Sequence, residues 1–153
     1  MTITPNTDFT SGAILTAAQQ NKFPRGLMTE VVTSSTTDTS VTAEEEELSV
    51  TFTAEANRLY RVVYIEPALS GTSVTSATFR LRQTSVTGTV LNSSIVAISS
   101  TALTFSGFVE SIATIGAGSQ TIKATLQFSA GTGTATRSAT RLAMLYVEDL
   151  GAA

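Results

Sequence analysis

The chain has 153 residues, 42% of them apolar and only 14% charged, with a formal net charge of −3 and a pI near 4.9. It has no cysteine and no histidine, which excludes disulfides, thiolate zinc sites, a cysteine nucleophile and an imidazole base or ligand. An acidic chain without clustered cations also lacks what general phosphate binding needs, so nucleic acid is not an expected partner.

The length suits one domain with a real core. Ser and Thr stand where charges usually would, Val and Ile are abundant and Trp is absent, a composition that predicts an all-β domain. The opening MTITPNTDFTSG lacks the charged and apolar regions of a signal peptide. No apolar run approaches the roughly 20 residues that span a bilayer. The expectation is a soluble chain made in a cytoplasm, with no membrane insertion. Asn92-Ser93-Ser94 fits a glycosylation sequon but has no secretory context to give it meaning.

In chain order, residues 1–12 carry Pro5, Asn6, Asp8 and Gly12 and predict an extended arm. Ile14–Asn21 then suits a short helix, with Thr16 as N-cap and Gln19 three residues on, the spacing of a capping box. Phe23-Pro24 ends it, because the residue before proline is driven from the α region. One or two turns are not stable alone, so this segment must dock, with Ile14, Leu15, Phe23 and Pro24 as its anchors. It packs either on its own domain or on a neighbouring subunit.

Residues 27–36 (LMTEVVTSST) predict a strand, and 37–47 a polar link ending in Glu44-Glu45-Glu46-Glu47. Four consecutive carboxylates raise a calcium site, since calcium takes six to eight oxygens. Calcium loops, however, interleave Asp, Asn and a turn-forming Gly, and none is present here. The competing readings are a solvated loop and a gatekeeper that discourages edge pairing.

The stretch Leu48–Leu69 is the strongest signal. Leu48, Val50 and Phe52 alternate with Ser49, Thr51 and Thr53, the period of a half-buried strand. After Ala54–Asn57, Leu59–Ile65 forms a second strand ended or edged by Pro67; together they predict a hairpin-like core pair. Further strands are expected at Val74–Gln83, Val90–Ser99, Leu103–Ile112, Thr121–Phe128 and Arg141–Val147, with Ala130–Thr136 as a small-residue loop. About eight strands at this spacing predict an antiparallel β-sandwich, jelly-roll-like, over residues 26–153. Residues 1–25 form its N-terminal arm and short helix.

Catalytic chemistry is hard to place. Gly116-Ala117-Gly118 and Gly131-Thr132-Gly133 lack the strand–helix context of a nucleotide loop, so no cofactor is expected. There is no G-x-S-x-G elbow. Lys22 or Lys123 is conceivable in a Ser–Lys dyad without support from spacing. Glu66, Glu110, Glu148 and Asp149 are the candidates for an acidic pair, and no spacing singles out two of them. Arg80 and Arg82 share one strand face and suit either an anion or the wet side of a sheet. The expectation is a protein that is not an enzyme.

Three stretches carry a family resemblance: SGAILTAAQQNKFPRG (Ser11–Gly26), VTFTAEANRLYRV (Val50–Val62) and LYVEDLG (Leu145–Gly151). In this order they resemble the opening, hairpin and closing motifs of small structural proteins of tailed bacteriophages, labelled minor tail, tail-fibre-like or unassigned virion proteins. The resemblance implies a β-sandwich that assembles as an oligomer, often a homotrimer, in the virion, beside other virion proteins, and made in the bacterial host cytoplasm. It supplies no catalytic residues. Tail or tail fibre, capsid decoration (a cement protein of the head), and a module binding a host surface glycan or receptor all remain open. The low charge and abundant hydroxyls independently suggest apolar surface left for a partner.

Overall fold

A computed structural model describes residues 12, 14–98 and 105–153; most of the expected arm lies outside them. Among the described residues the chain forms one helical turn, α1 (Ala17–Gln20), and eleven strands in two antiparallel sheets that enclose one core. The first sheet is built on β5 (Arg58–Thr72). Along one edge of β5 runs β8 (Phe105–Thr114); β11 (Ala143–Ala152) and β10 (Thr132–Ala135) share the other. Outside β11 lie β1 (Gly26–Leu27) and β2 (Val32–Ser34), and outside β10 lies β3 (Asp38–Val41). The second sheet runs β4 (Glu45–Ala54), β9 (Gly118–Phe128), β6 (Ser76–Gln83), β7 (Val90–Ala97). This is the jelly-roll-like sandwich that the alternation predicts.

The core is the set of alternate residues from both sheets. Leu48, Val50, Phe52 and Ala54 of β4 and Ile122, Ala124, Leu126 and Phe128 of β9 face Tyr60, Val62 and Tyr64 of β5. Phe52 and Tyr60 stack tilted at 5.3 Å between ring centroids, and Tyr64 and Phe79 at 5.8 Å. Aromatic pairs of this geometry add to the area they bury.

Five local expectations are corrected. Leu48–Leu69 is no hairpin: β4 and β5 lie in different sheets, and the connection crosses between them through Asn57 at φ 59°. Two strands whose apolar faces look at each other show the same alternation as two that pair. Pro67 does not end β5, because the register shift between Glu66 and Leu69 absorbs a residue that cannot donate to the ladder. The expected strand 27–36 is two short ones, β1 and β2. The expected link 37–47 and loop 130–136 contain β3 and β10, which pair with each other.

Thr16 and Gln19 form the reciprocal capping box, Thr16 N–H donating to Gln19 Oε1 at 2.9 Å and Gln19 N–H to Thr16 Oγ1 at 3.3 Å. Ile14 is 92% exposed, Leu15 is half-buried, and Phe23 and Pro24 are exposed.

Gly107 on β8 lies under the Phe79 ring, where a Cβ would sit 1.8 Å from Phe79 Cζ. Gly107→Ala is therefore expected to cost about 1–3 kcal/mol in urea denaturation, the usual cost of overpacking. Gly116→Ala, with nothing nearer its Cβ than Gln120 Nε2 at 3.8 Å, serves as the control and should change stability by less than about 0.5 kcal/mol.

Candidate functional site

Glu45, Glu46 and Glu47 open strand β4 and Glu44 directly precedes it, so the four glutamates do not form a solvated link. Glu46 pairs with Thr125 and Leu48 with Ala124, so Glu47 is the extra residue of a β-bulge. Glu44 and Glu46 turn to the outer face of the four-stranded sheet. There Glu44 accepts from Arg82 at 2.5 and 2.8 Å and from Thr125 Oγ1 at 2.7 Å, with Arg80 at 3.0 Å, while Glu46 meets Lys123 at 2.8 Å. Burial works against the Glu44 carboxylate, and these bonds still hold its pKa below the usual range. Arg80 and Arg82 are thus occupied by a carboxylate of their own chain.

Glu45 and Glu47 lie instead by Asp38 of β3. Carboxylate oxygens of Asp38, Glu45 and Glu47 lie within 4.8 Å of one another. Of the metal candidates Glu44, Glu45, Glu46 and Glu47, the fold therefore keeps two and adds Asp38. No spacing rule points to Asp38. The legible signal was the i, i+2 period of a strand, which would have put Glu45 and Glu47 on one side.

Behind them is a buried ion cluster. Arg137, in the connection between β10 and β11, donates from Nε to Glu66 Oε1 at 2.9 Å and from Nη2 to Glu66 Oε2 at 2.7 Å. The same Nη2 reaches Glu47 Oε2, and Nη1 donates to the Thr36 carbonyl at 3.3 Å. Tyr64 Oη donates to Glu66 Oε2 at 2.8 Å. Burial alone would lower the Arg137 pKa, but its bonds to Glu66 and Glu47 outweigh that and raise it. Burial pushes Glu47 up to about 6 against the opposing pull of Arg137, with Glu66 and Asp38 adding to the rise. Glu45 is raised by burial and by Asp38, and Tyr64 well above its ordinary range by burial and Glu66. A groove of about 340 Å³ opens beside the cluster, lined by Ser34, Thr36, Thr37, Asp38, Thr39, Ser40, Glu46, Glu47 and Arg137.

A second buried pair lies elsewhere. Arg58 donates from Nε and Nη2 to both oxygens of Asp149 at 2.5 and 2.7 Å, and its remaining donors reach the Asn21 and Phe23 carbonyls, the latter at 2.7 Å. Asp149 also accepts from Gly151 N–H at 2.7 Å. Gly151 has φ +107°, and a Cβ there would meet the Lys22 carbonyl at 2.7 Å. Ser11–Gly26, Val50–Val62 and Leu145–Gly151, the three stretches quoted for the resemblance, meet at this one clamp.

The outer face of the β5 sheet carries a third feature. Cross-strand partners put Phe108, Ile65, Met144 in one row, Glu110, Val63, Tyr146 in the next, and Ile112, Arg61, Glu148, Leu27 in the third. Phe108, Ile112 and Leu27 are 47%, 55% and 53% exposed, while Val63 at the centre is fully buried. Arg61 donates to both oxygens of Glu110 at 3.0 and 3.1 Å and to Glu148 at 3.4 Å. Each carboxylate weighed for acid–base chemistry thus has an arginine: Glu66 has Arg137, Glu110 and Glu148 share Arg61, and Asp149 has Arg58. Lys123 is held by Glu46.

No protein-family model matches the chain, and no curated protein matches it. Among solved structures it is similar to Eiger TNF from S. frugiperda, with TM-score 0.44 and 12% identity over 76% of this chain and 96% of that one. It is also similar to the EclA C-terminal domain, a sugar-binding protein, with TM-score 0.43 and 14% identity over 94% and 99% of the two chains. A third is TmCBM61 in complex with β-1,4-galactotriose, with TM-score 0.40 and 14% identity over 84% and 91%.

Asp149→Ala would leave the Arg58 guanidinium buried without its anion, an arrangement that costs about 3–5 kcal/mol. Limited proteolysis should then cut between Ile14 and Gly26 faster than in the wild type, because the clamp holds those carbonyls.

Proposed function

We propose that this chain is a non-enzymatic structural module that associates with further copies of itself. The observation that carries the reading is the outer face of β8, β5 and β11. Its apolar side chains, Phe108, Ile65, Met144, Tyr146 and Ile112, surround Arg61, which bridges Glu110 and Glu148. Apolar area removed from water drives association, and the exposed Phe108, Ile112 and Leu27 supply it. Closed symmetry is the usual outcome, and a trimer is the form proposed here. The arginine held against each candidate acid supports the non-enzymatic part of the reading.

The proposed setting is the virion of a tailed bacteriophage, on the tail or tail fibre, with the segment before Gly26 docking to a neighbouring virion protein; capsid decoration is the alternative placement. Its support is the ordered resemblance of the three stretches that meet at Arg58 and Asp149. The clamp holds the segment at Asn21 and Phe23 and leaves Ile14 projecting, which suits an arm fixed at its root and offered at its tip. The groove beside Arg137, rich in Ser and Thr hydroxyls, favours one further reading, a host-glycan binding module.

Light scattering on the full chain is expected to give a trimer mass, and Phe108→Glu with Ile112→Lys a folded monomer. A wild type that stays monomeric at millimolar concentration would overturn the self-association reading. Retention on a glycan array that survives the face substitutions and is lost in Arg137→Met would favour the glycan-binding alternative.

A further inference from the structure

The bulge at Glu47 leaves three carboxylates, Asp38, Glu45 and Glu47, with oxygens within 4.8 Å of one another. Like charges this close repel strongly unless a proton or a cation sits among them. Arg137 is the nearby cation, and the donors named above are directed at Glu66, at Glu47 Oε2 and at the Thr36 carbonyl. Asp38 Oδ1 accepts only from within its own turn, from Ser40 N–H at 2.9 Å and Ser40 Oγ at 3.1 Å.

A second observation is independent of the clustering. Glu45 Oε1 and Glu47 Oε1 are buried with no hydrogen-bond partner, and the Glu47 side chain is only 2% exposed. A buried acceptor without a donor costs free energy. A carboxylate oxygen can be satisfied by a donor or by a metal ion, and the Arg137 bonds named above go to other atoms.

We propose that Asp38, Glu45 and Glu47 hold a divalent cation of the calcium type between β3 and β4. Oxygens at calcium distance from one ion lie no more than about 5 Å apart, so the three carboxylates fit a single coordination sphere. The set contains no nitrogen or sulfur donor, as a hard cation prefers. Calcium accepts irregular geometry and a high ligand count, whereas magnesium demands a near-ideal octahedron. Water entering from the groove beside Asp38 and Glu47 completes the shell. The ion would pin β3, an outer strand of one sheet, to the start of β4 in the other.

The test uses the full chain, stripped with EDTA and titrated with calcium chloride in a calorimeter, beside thermal melts with and without the ion. The expected result is one calcium per chain and a melting midpoint several degrees higher at saturating calcium. Asp38→Asn and Glu45→Gln should bind at least about tenfold more weakly and lose the shift, because each removes a charged ligand. Glu44→Gln, on the outer face, should keep both. No heat and no shift at about 10 mM calcium, above the range of weak protein sites, would overturn the proposal. So would a Glu45→Gln chain that is more stable than the ion-free wild type and binds calcium as the wild type does. An equal response to magnesium chloride would overturn the assignment to calcium.

Discussion

Arg137 and Glu66 are buried together, and one end of the sandwich depends on that pairing. Removing a guanidinium and a carboxylate from water costs several kcal/mol each, and only close, multiply bonded geometry offsets it. Here the geometry is supplied by four separate pieces of chain: β5 brings Glu66 and Tyr64, β4 brings Glu47, the segment before β3 brings the Thr36 carbonyl, and the β10–β11 connection brings Arg137. The pair itself joins elements of the β5 sheet, and the bond from Arg137 to Glu47 ties it to β4 in the other sheet. Its contribution is therefore chiefly to specify which packing forms, while the apolar residues between the sheets supply the driving force.

Charge elsewhere follows the same economy. Only 14% of the residues are charged, and many are committed to partners across strands. Arg58 with Asp149 holds the chain before Gly26 against β11, Arg61 bridges two glutamates on the outer face, and Glu44 takes two arginines on the opposite face. The acidic corner of Asp38, Glu45 and Glu47 is the departure from this pattern, since its negative charge exceeds what Arg137 balances. Such a departure at half-buried, oxygen-only side chains is where a bound cation makes physical sense. A β-bulge accommodates it, by leaving Glu47 on the side of Glu45 while Leu48, the next residue, still faces the core.

The outer face of the β5 sheet and the clamp at Arg58 describe one molecule in complementary ways. The clamp fixes the root of the N-terminal segment through main-chain carbonyls, which any side chain at those positions would present. The exposed Ile14 lies before it. The broad face centred on Val63 sets apolar side chains around the Arg61 bridge to Glu110 and Glu148. Self-association through the sheet and docking through the N-terminal segment are the proposals that these two features support.

Much of the fold was legible in the sequence because period-two alternation is a local consequence of the pleat. Leu48–Ala54, Phe79–Leu81 and Ile122–Phe128 mark their inner faces by themselves, and Thr16 with Gln19 marks the start of α1. The missing histidine and cysteine likewise removed whole classes of chemistry. What tertiary structure decided is everything that depends on which strand lies across from which. Alternation gives the buried side of β4 and β5 but not whether they pair or face each other, so the apparent hairpin is a crossing between sheets. Arg58 finds Asp149, and Asp38 joins Glu45 and Glu47, only through pairings distant along the chain. Side chains on separate strands are brought together by register and by bulges, and neither leaves a mark in composition or spacing.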